Sequence, residues 1–368
     1  MALPDFFALF GRDPAGRWSA PGRVNLMGDH TDYNDGLVLP IAIPQRTEVE
    51  LAEGQGRRVR VWSDQFPDDR PVEYQLGTEA ADHGWADYVR GMTMALASFG
   101  LERGFDARIV SRVPLGSELS SSASLEIALG RALRDVYSLT INDVELARAG
   151  KRAENELVGA PVGIMDQMAC SLADETAALL LDTRDLRVER VPIPARAALV
   201  VIHSGLSHRH VTGGYATRRR ECADAASRLG VATLRDVGPS HADAVRGLPD
   251  PLGRRVRHVL SENARVEATA GALRAGELER AGMLFVESHA SLRDDYEVSV
   301  PEIDTLVELT TRVQGIYGAR LTGGGFGGSI VALSERVRAA DAAEMAAESY
   351  RLTTGQSPLI MVPPSAAG

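Results

Sequence analysis

The segment Gly22 to Gly36, GRVNLMGDHTDYNDG, gathers Arg23, Asn25, Asp29, His30, Thr31, Asp32, Tyr33, Asn34 and Asp35 just ahead of the apolar stretch LVLPIAI. A turn needs two or three such groups. This density suits a metal ion or a small, densely hydroxylated ligand. A second segment, PLGSELSSSASLE, sets three serines between a glycine-containing turn and a helix. A helix N-terminus presents unpaired N–H groups and the positive end of its dipole, which attract phosphate. The hydroxyls add donors, and one can reach a magnesium ion. Serine is also a favoured N-cap, but three in a row after Pro114 and Gly116 exceed what capping needs. No Gly-Lys-Ser/Thr closes the segment, so a P-loop is not supported.

Two further segments carry chemistry. GAPVGIMDQMA sets Asp166 among apolar residues, as an N-cap or as a buried working group, and Glu154 lies twelve positions earlier on the preceding helix. Near a phosphate loop, one carboxylate can serve as a magnesium ligand and the other as a base. TGGGFGGS, Thr322 to Ser329, lets backbone approach a ligand closely. A dinucleotide fingerprint would need a helix next and an acidic residue about twenty positions on. A strand follows instead, so a tight loop beside a nucleotide site fits better, with a hairpin turn as the plainer reading. His203, His208 and His210 suggest zinc, but they lack a nearby cysteine and a regular spacing, so they read as polar loop contacts. Arg218 to Arg220 reads as a solvated helix face.

The elements that must position these groups alternate irregularly. MALPDFFALFGRD reads as a packed N-terminal helix, since no basic region precedes its apolar run. VRVW and DARIVSRVP read as strands, with a helix between them from Trp85 to Phe99 stopped at Gly100. LEIALGRALRDVY is the helix after the serines. Asn142 and Glu145 make a capping box for the next, which Gly159 ends. AALLLDT and AALVVIHSG read as strands. Three helical stretches follow, then strand, glycine turn and strand in ARLTGGGFGGSIVAL. This is an α+β layout with a break near Pro192–Pro194.

With 368 residues the chain is long enough for two cores. The net charge of −10 argues against a nucleic-acid partner. Two cysteines, Cys170 and Cys222, give no disulfide framework and fit a cytoplasmic location. No run approaches the ~20 apolar residues of a membrane helix, so no membrane partner is expected.

Taken together, PGRVNLMGDHTDYNDGLVLP, WADYVRG, VPLGSELSSSASLE, GAPVGIMDQM, GGYATRRREC, SHASLRDDYEVS and LTGGGFGGSIVAL resemble the galactokinase branch of the GHMP small-molecule kinases along nearly the whole chain. The resemblance implies an α+β fold of two lobes, 1–192 like the second domain of ribosomal protein S5 and 193–368 ferredoxin-like, with the active site between them. It implies transfer of phosphate from MgATP to α-D-galactose, giving galactose 1-phosphate. It implies no partner beyond sugar and ATP, in a monomer or weak homodimer. By the matching motifs, Asp29 and His30 would hold the sugar near its 6-hydroxyl, and Asp32 near the 3- and 4-hydroxyls. Thr31 and Tyr215 would complete the sugar site. Asp166 would take or orient the proton of the anomeric hydroxyl, with Arg23 beside it. Gly116, Ser117, Glu118, Leu119, Ser120, Ser121 and Ser122 would cradle the phosphates, Ser63 would touch the adenine region, and Ser122 and Glu154 would bind Mg2+.

The chain departs from the family pattern in a few places. Asp29 stands where relatives carry Glu, which implies more tolerance at carbon 6 of the sugar. Glu118 stands where the phosphate loop has Gly, and its carboxylate is expected to point outward. Val162 and Ser329 stand where cysteines are common. The rival readings are a kinase of N-acetylgalactosamine, L-arabinose or galacturonate, and a sensor that binds galactose and ATP without turnover.

Overall fold

The computed structural model describes residues 3–67, 70–206 and 213–362. The chain forms two compact units, 1–23 with 42–115 and 119–173, and 24–41 with 116–118 and 174–368. Where the sequence pattern suggests one break at 192, the second unit starts its long run at Asp174 and takes in two short earlier segments, the polar loop and the first turn of the serine segment.

The first unit is built on a five-stranded sheet in the order Gly16–Asn25, Pro40–Glu53, Phe105–Ser111, Arg58–Ser63, Val72–Gln75. Antiparallel register sets Val49 opposite Ile109 and Leu51 opposite Ala107. These four are buried, while Glu50 and Arg108 alternate with them and pair at 2.9 Å. That alternation is the two-residue period of a strand with one face in a core. Helices Asp87–Leu96, Ser121–Tyr137, Asp143–Arg152 and Met165–Leu172 belong to the same unit. The capping box forms as expected: Glu145 N donates to Asn142 Oδ1 at 2.9 Å, and Asn142 N donates to Glu145 Oε2 at 2.8 Å. This helix passes into a π-helical turn, Ala153–Val158, before Gly159 stops it at φ +78°. Such a turn re-aims side chains within a helix, and here it carries Glu154. The N-terminal helix is short, Phe6–Phe10, capped by Asp5, and it packs Phe6 and Phe10 on Trp62.

The second unit holds an antiparallel sheet in the order Ile316–Thr322, Ser329–Glu335, Ala197–His203, Leu359–Val362, and a three-stranded sheet of Leu37–Val38, Ala177–Asp182 and Val188–Pro192. Thr322 pairs with Ser329 at the end of the first hairpin, so the glycines between them form its turn, followed by a strand as the sequence suggests. Helices Gly214–Leu229, Leu252–Ala275 and Leu278–Asp294 match the three helical stretches, and Pro301–Thr311 and Ala339–Thr354 add two more. Arg218 corrects the reading of Arg218–Arg220 as a solvated face. Its Nε donates to the Tyr296 carbonyl at 2.6 Å, and its guanidinium lies 5.9 Å from the Phe326 ring centre.

Candidate active site

In the first unit, Asp166 sits in the first turn of helix Met165–Leu172. Arg23, at the end of a strand and buried, places Nε at 2.8 Å and Nη2 at 2.6 Å from Oδ1 of Asp166. Both contacts fall on one oxygen, and the Asp166 side chain keeps 31% of its surface exposed. One face of the carboxylate is therefore fixed, and the other is open to a hydroxyl group.

Beside this pair lies a group of buried carboxyls. Glu154 is hydrogen-bonded to Ser122 and to Gln167 Nε2, the latter at 3.1 Å. Gln167 Nε2 also lies 3.2 Å from Glu126 Oε2. Burial pushes the Glu154 carboxyl up to about 7, with nearby Asp166 adding to the shift. Burial, and then Glu154, push Glu126 well above the usual carboxylate range. Burial thus disfavours the charged form of these carboxyls, and a bound cation would favour it. Among the described residues no group of three or more His, Cys, Asp or Glu is placed to hold a metal ion. One hydroxyl and one carboxylate suit magnesium, which keeps waters and phosphate oxygens as its other ligands. Glu126 and Gln167 were not singled out from sequence, although both lie inside the motif strings SSSASLE and IMDQM. A fully buried carboxyl beside another acid is visible only in three dimensions.

The serine loop has a backbone suited to anions. Gly116, Glu118 and Ser120 have φ of +68°, +62° and +61°, while Ser117 and Leu119 between them do not have positive φ. Alternation of this kind turns successive N–H groups toward one concavity. Ser120 Oγ is buried and has no hydrogen-bond partner among the described residues, an orphan donor on that loop. Leu119 contributes backbone: it is buried and its carbonyl accepts from Arg23 N at 3.1 Å. Ser121 and Ser122 line a cavity of about 480 Å³ together with Ser63, Gln65, Tyr88 and the parallel rings of Phe66 and Trp85, whose centres are 5.9 Å apart. The cavity sets Ser63 beside Ser121 and Ser122. Its aromatic walls were missed, because Trp85 reads as one more apolar position of a helix.

In the second unit the polar loop wraps an aromatic cluster. His30, at φ +65° and buried, lies 5.4 Å from the Tyr215 ring centre and 4.8 Å from that of Tyr296. A hydrogen-bonded chain runs from His30 Nδ1 to Tyr33 OH (2.9 Å), Tyr296 OH (2.8 Å) and Cys222 Sγ (3.0 Å). Burial, reinforced by His258, lowers the His30 pKa to about 3, so the ring is neutral at pH 7. Its Nε2 makes no hydrogen bond of good geometry among the described residues, with the Gly324 backbone as a nearby polar neighbour. Asp32 opens the short turn Asp32–Asn34. Thr31 is fully buried with Oγ1 2.7 Å from the carbonyls of Gly28 and Leu37, so its hydroxyl ties the loop together instead of facing a ligand. Gly28 is required at φ +99°, since a Cβ there would lie 2.4 Å from the Leu37 carbonyl oxygen.

Asp29 is turned inward. Its Oδ2 pairs with Arg320 Nη2 at 2.6 Å, and its Oδ1 accepts from Gly323 N at 3.1 Å. Arg320 and Glu262, 3.5 Å apart, are both fully buried. Arg320 and Glu262 were missed; a charged residue inside the apolar run ARLT was the available signal for the first. Glu118 is not directed outward. Its Oε2 accepts from Gly324 N at 2.7 Å. His203 Nδ1 accepts from Gly205 N at 3.0 Å, while His208 and His210 lie outside the described residues. Among those residues no helix is long and apolar enough to cross a membrane.

The galactokinase galactose-binding signature matches residues 4–52, the GHMP kinases N terminal domain 87–174 and the GHMP kinases C terminal domain 269–352. The structure of Lactococcus lactis galactokinase complexed with galactose is 33% identical, with a TM-score of 0.91, covering 96% of this chain and 95% of that one. The L. major mevalonate kinase in complex with R-mevalonate (18% identity, TM-score 0.66, 95% of each chain) shares the fold. So does a D-glycero-D-manno-heptose 1-phosphate kinase from Bacteriodes thetaiotaomicron (16%, 0.63, 94% of each). The chain belongs to the galactokinase family of the GHMP kinases.

Proposed function

We propose that the protein transfers the γ-phosphoryl group of ATP to the 1-hydroxyl of α-D-galactose, with Mg2+, as a cytoplasmic enzyme. The observation that carries this reading is the Asp166 carboxylate, held by Arg23 through one oxygen and open on the other side.

Phosphoryl transfer through a loose transition state asks for positioning and charge neutralisation more than for a strong base. Asp166 accepts the hydrogen bond of the 1-hydroxyl and aims its oxygen. As the new O–P bond forms and the bond to ADP breaks, the hydroxyl proton passes late to Asp166. Arg23 steadies Asp166 and the charge spreading over the transferred group. The backbone N–H groups of 116–120 and the Ser120 hydroxyl cradle the phosphates. Phe66, Trp85 and Ser63 line the cavity for the base. Ser122 and Glu154 would hold Mg2+, which when bound neutralises phosphate charge. In the second unit, His30 offers a neutral ring to a sugar hydroxyl, Asp32 accepts from others, and Tyr215 supplies an apolar wall.

The test is ADP release with MgATP across D-galactose, 2-deoxygalactose, N-acetylgalactosamine, L-arabinose, galacturonate and no sugar. Turnover on galactose well above the others is expected. Preference for another sugar moves the activity within the family. Galactose binding by calorimetry without turnover replaces the enzyme with a sensor.

A further inference from the structure

Glu118 occupies a backbone conformation that side chains avoid, φ +62°, in the middle of the alternating turn that would face phosphate. Something must hold it there. Its carboxylate takes the Gly324 amide at 2.7 Å, and the approach is so close that a Cβ on Gly323 would lie 2.6 Å from Glu118 Cβ. Gly323, at φ +89°, therefore has to be glycine on both counts. One residue before Glu118, the Ser117 carbonyl accepts from Ser329 Oγ at 2.7 Å, and Ser117 and Ser329 are buried. Ser329 begins the strand that leaves the glycine loop. Residues 117 and 118 are thus pinned at both ends of a single loop, 323–329.

The next amide along is also taken. Gly323 N donates to Asp29 and Gly324 N to Glu118. Two successive amides of the glycine loop hold one carboxylate from the polar loop and one from the serine loop.

We propose that Glu118 and Ser329 form a latch that fixes the first turn of the phosphate loop on the glycine loop, with Glu118 as a positioning residue for ATP. A carboxylate at this place has two opposed effects on a triphosphate. Its charge repels phosphate; its hydrogen bond to Gly324 holds the turn in the conformation that presents N–H groups. The latch requires the second effect to prevail, because a glycine at 118 would leave the turn free to sample many conformations that lack the concavity. The inference rests on the reading of 116–122 as a phosphate loop.

The experiment compares wild type with Glu118→Gly, Glu118→Gln and Ser329→Ala by steady-state kinetics and by hydrogen exchange of the apo protein over residues 320–328. Glu118→Gly is expected to raise KM for ATP about fivefold or more, with KM for galactose within twofold, and to speed exchange at Gly324. Glu118→Gln keeps an acceptor oxygen and is expected to recover part of both effects. Ser329→Ala should shift KM for ATP in the same direction by less. A lower or unchanged KM for ATP in Glu118→Gly, with wild type active, overturns the latch and leaves simple repulsion. Faster exchange without any change in KM overturns its link to ATP. Absence of wild-type turnover on any sugar counts against the kinase reading instead, and exchange at Gly324 still reports whether the pin exists.

Discussion

Each unit holds an arginine–carboxylate pair, and the two are built for different work. Arg23 is buried but Asp166 keeps 31% of its side chain exposed, and both contacts fall on one of its oxygens. Asp29 and Arg320 are 2% and 0% exposed, and both Asp29 oxygens are engaged within the protein. The first pair leaves a carboxylate oxygen for an outside hydroxyl; the second closes on itself. An ion pair beside a reaction is recognised by the half left unsatisfied.

The sharpest test of this contrast is to break the closed pair. Replacing Arg320 by Met removes the counter-charge of Asp29 and Glu262, both deep in the second unit. Breaking a buried pair from one side costs about 3–5 kcal/mol. Arg320→Met is expected to lose that much in urea unfolding, or to fail to accumulate as folded protein. Unchanged stability would mean that water reaches this site.

Asp166→Asn addresses the open pair. It keeps the size of the side chain and removes the negative charge. Turnover is expected to fall on the order of 10²-fold or more, with the unfolding midpoint little changed, because one side of the pair is already in contact with solvent. A variant within a few-fold of wild type would remove Asp166 from the mechanism. The contrast with Arg320→Met lies in the readout, activity for one and stability for the other.

The closed region also has a pH signature. Burial lowers the His258 pKa from 6.5 to about 4, with its Nε2 at 3.1 Å from the Asp29 carbonyl oxygen and its Nδ1 at 2.9 Å from Ser291 Oγ. Below pH 6.5 the unfolded chain binds a proton that the folded chain refuses until about pH 4. Stability contributed above 6.5 is therefore lost as pH falls through this window, by about 2 kcal/mol at pH 5. The urea midpoint of wild type should drop more between pH 7.5 and pH 5 than that of His258→Gln. Equal drops would place the titration elsewhere.

These pairs also mark how far the sequence is legible. The capping box at Asn142, the stop at Gly159 and the strand after the glycine turn follow from residues within a few positions of each other. Each forms where the local pattern puts it. Asp166 and Arg23 were found through their motifs, not from any local rule, since 143 residues separate them. Glu118 reads as outward-pointing in the sequence because its partner Gly324 lies 206 residues away. Arg218 reads as a solvated charge in the sequence because nothing nearby announces the Tyr296 carbonyl it binds. Local chemistry fixes where an element begins and ends, while the partner of a buried charge depends on which distant strand the fold brings alongside.

The smallest expected effect concerns the reach of Asp29. One methylene shorter than Glu, it rests on Arg320 and the Gly323 amide, so on the proposed reading His30 would be the side chain that meets a hydroxyl at that side of the polar loop. A galactose lacking its 6-hydroxyl then forfeits a single hydrogen bond, a loss of up to about tenfold in kcat/KM. In Asp29→Glu the added methylene lets the carboxylate extend past Arg320 toward that hydroxyl. Removing the hydroxyl from the substrate should then strand a second buried polar group. The ratio of kcat/KM for galactose over 6-deoxygalactose is expected to rise a few-fold in Asp29→Glu relative to wild type. An unchanged ratio would mean that the Asp29 side chain has no part in sugar selection and belongs wholly to the closed pair, where its distances to Arg320 and Gly323 already place it.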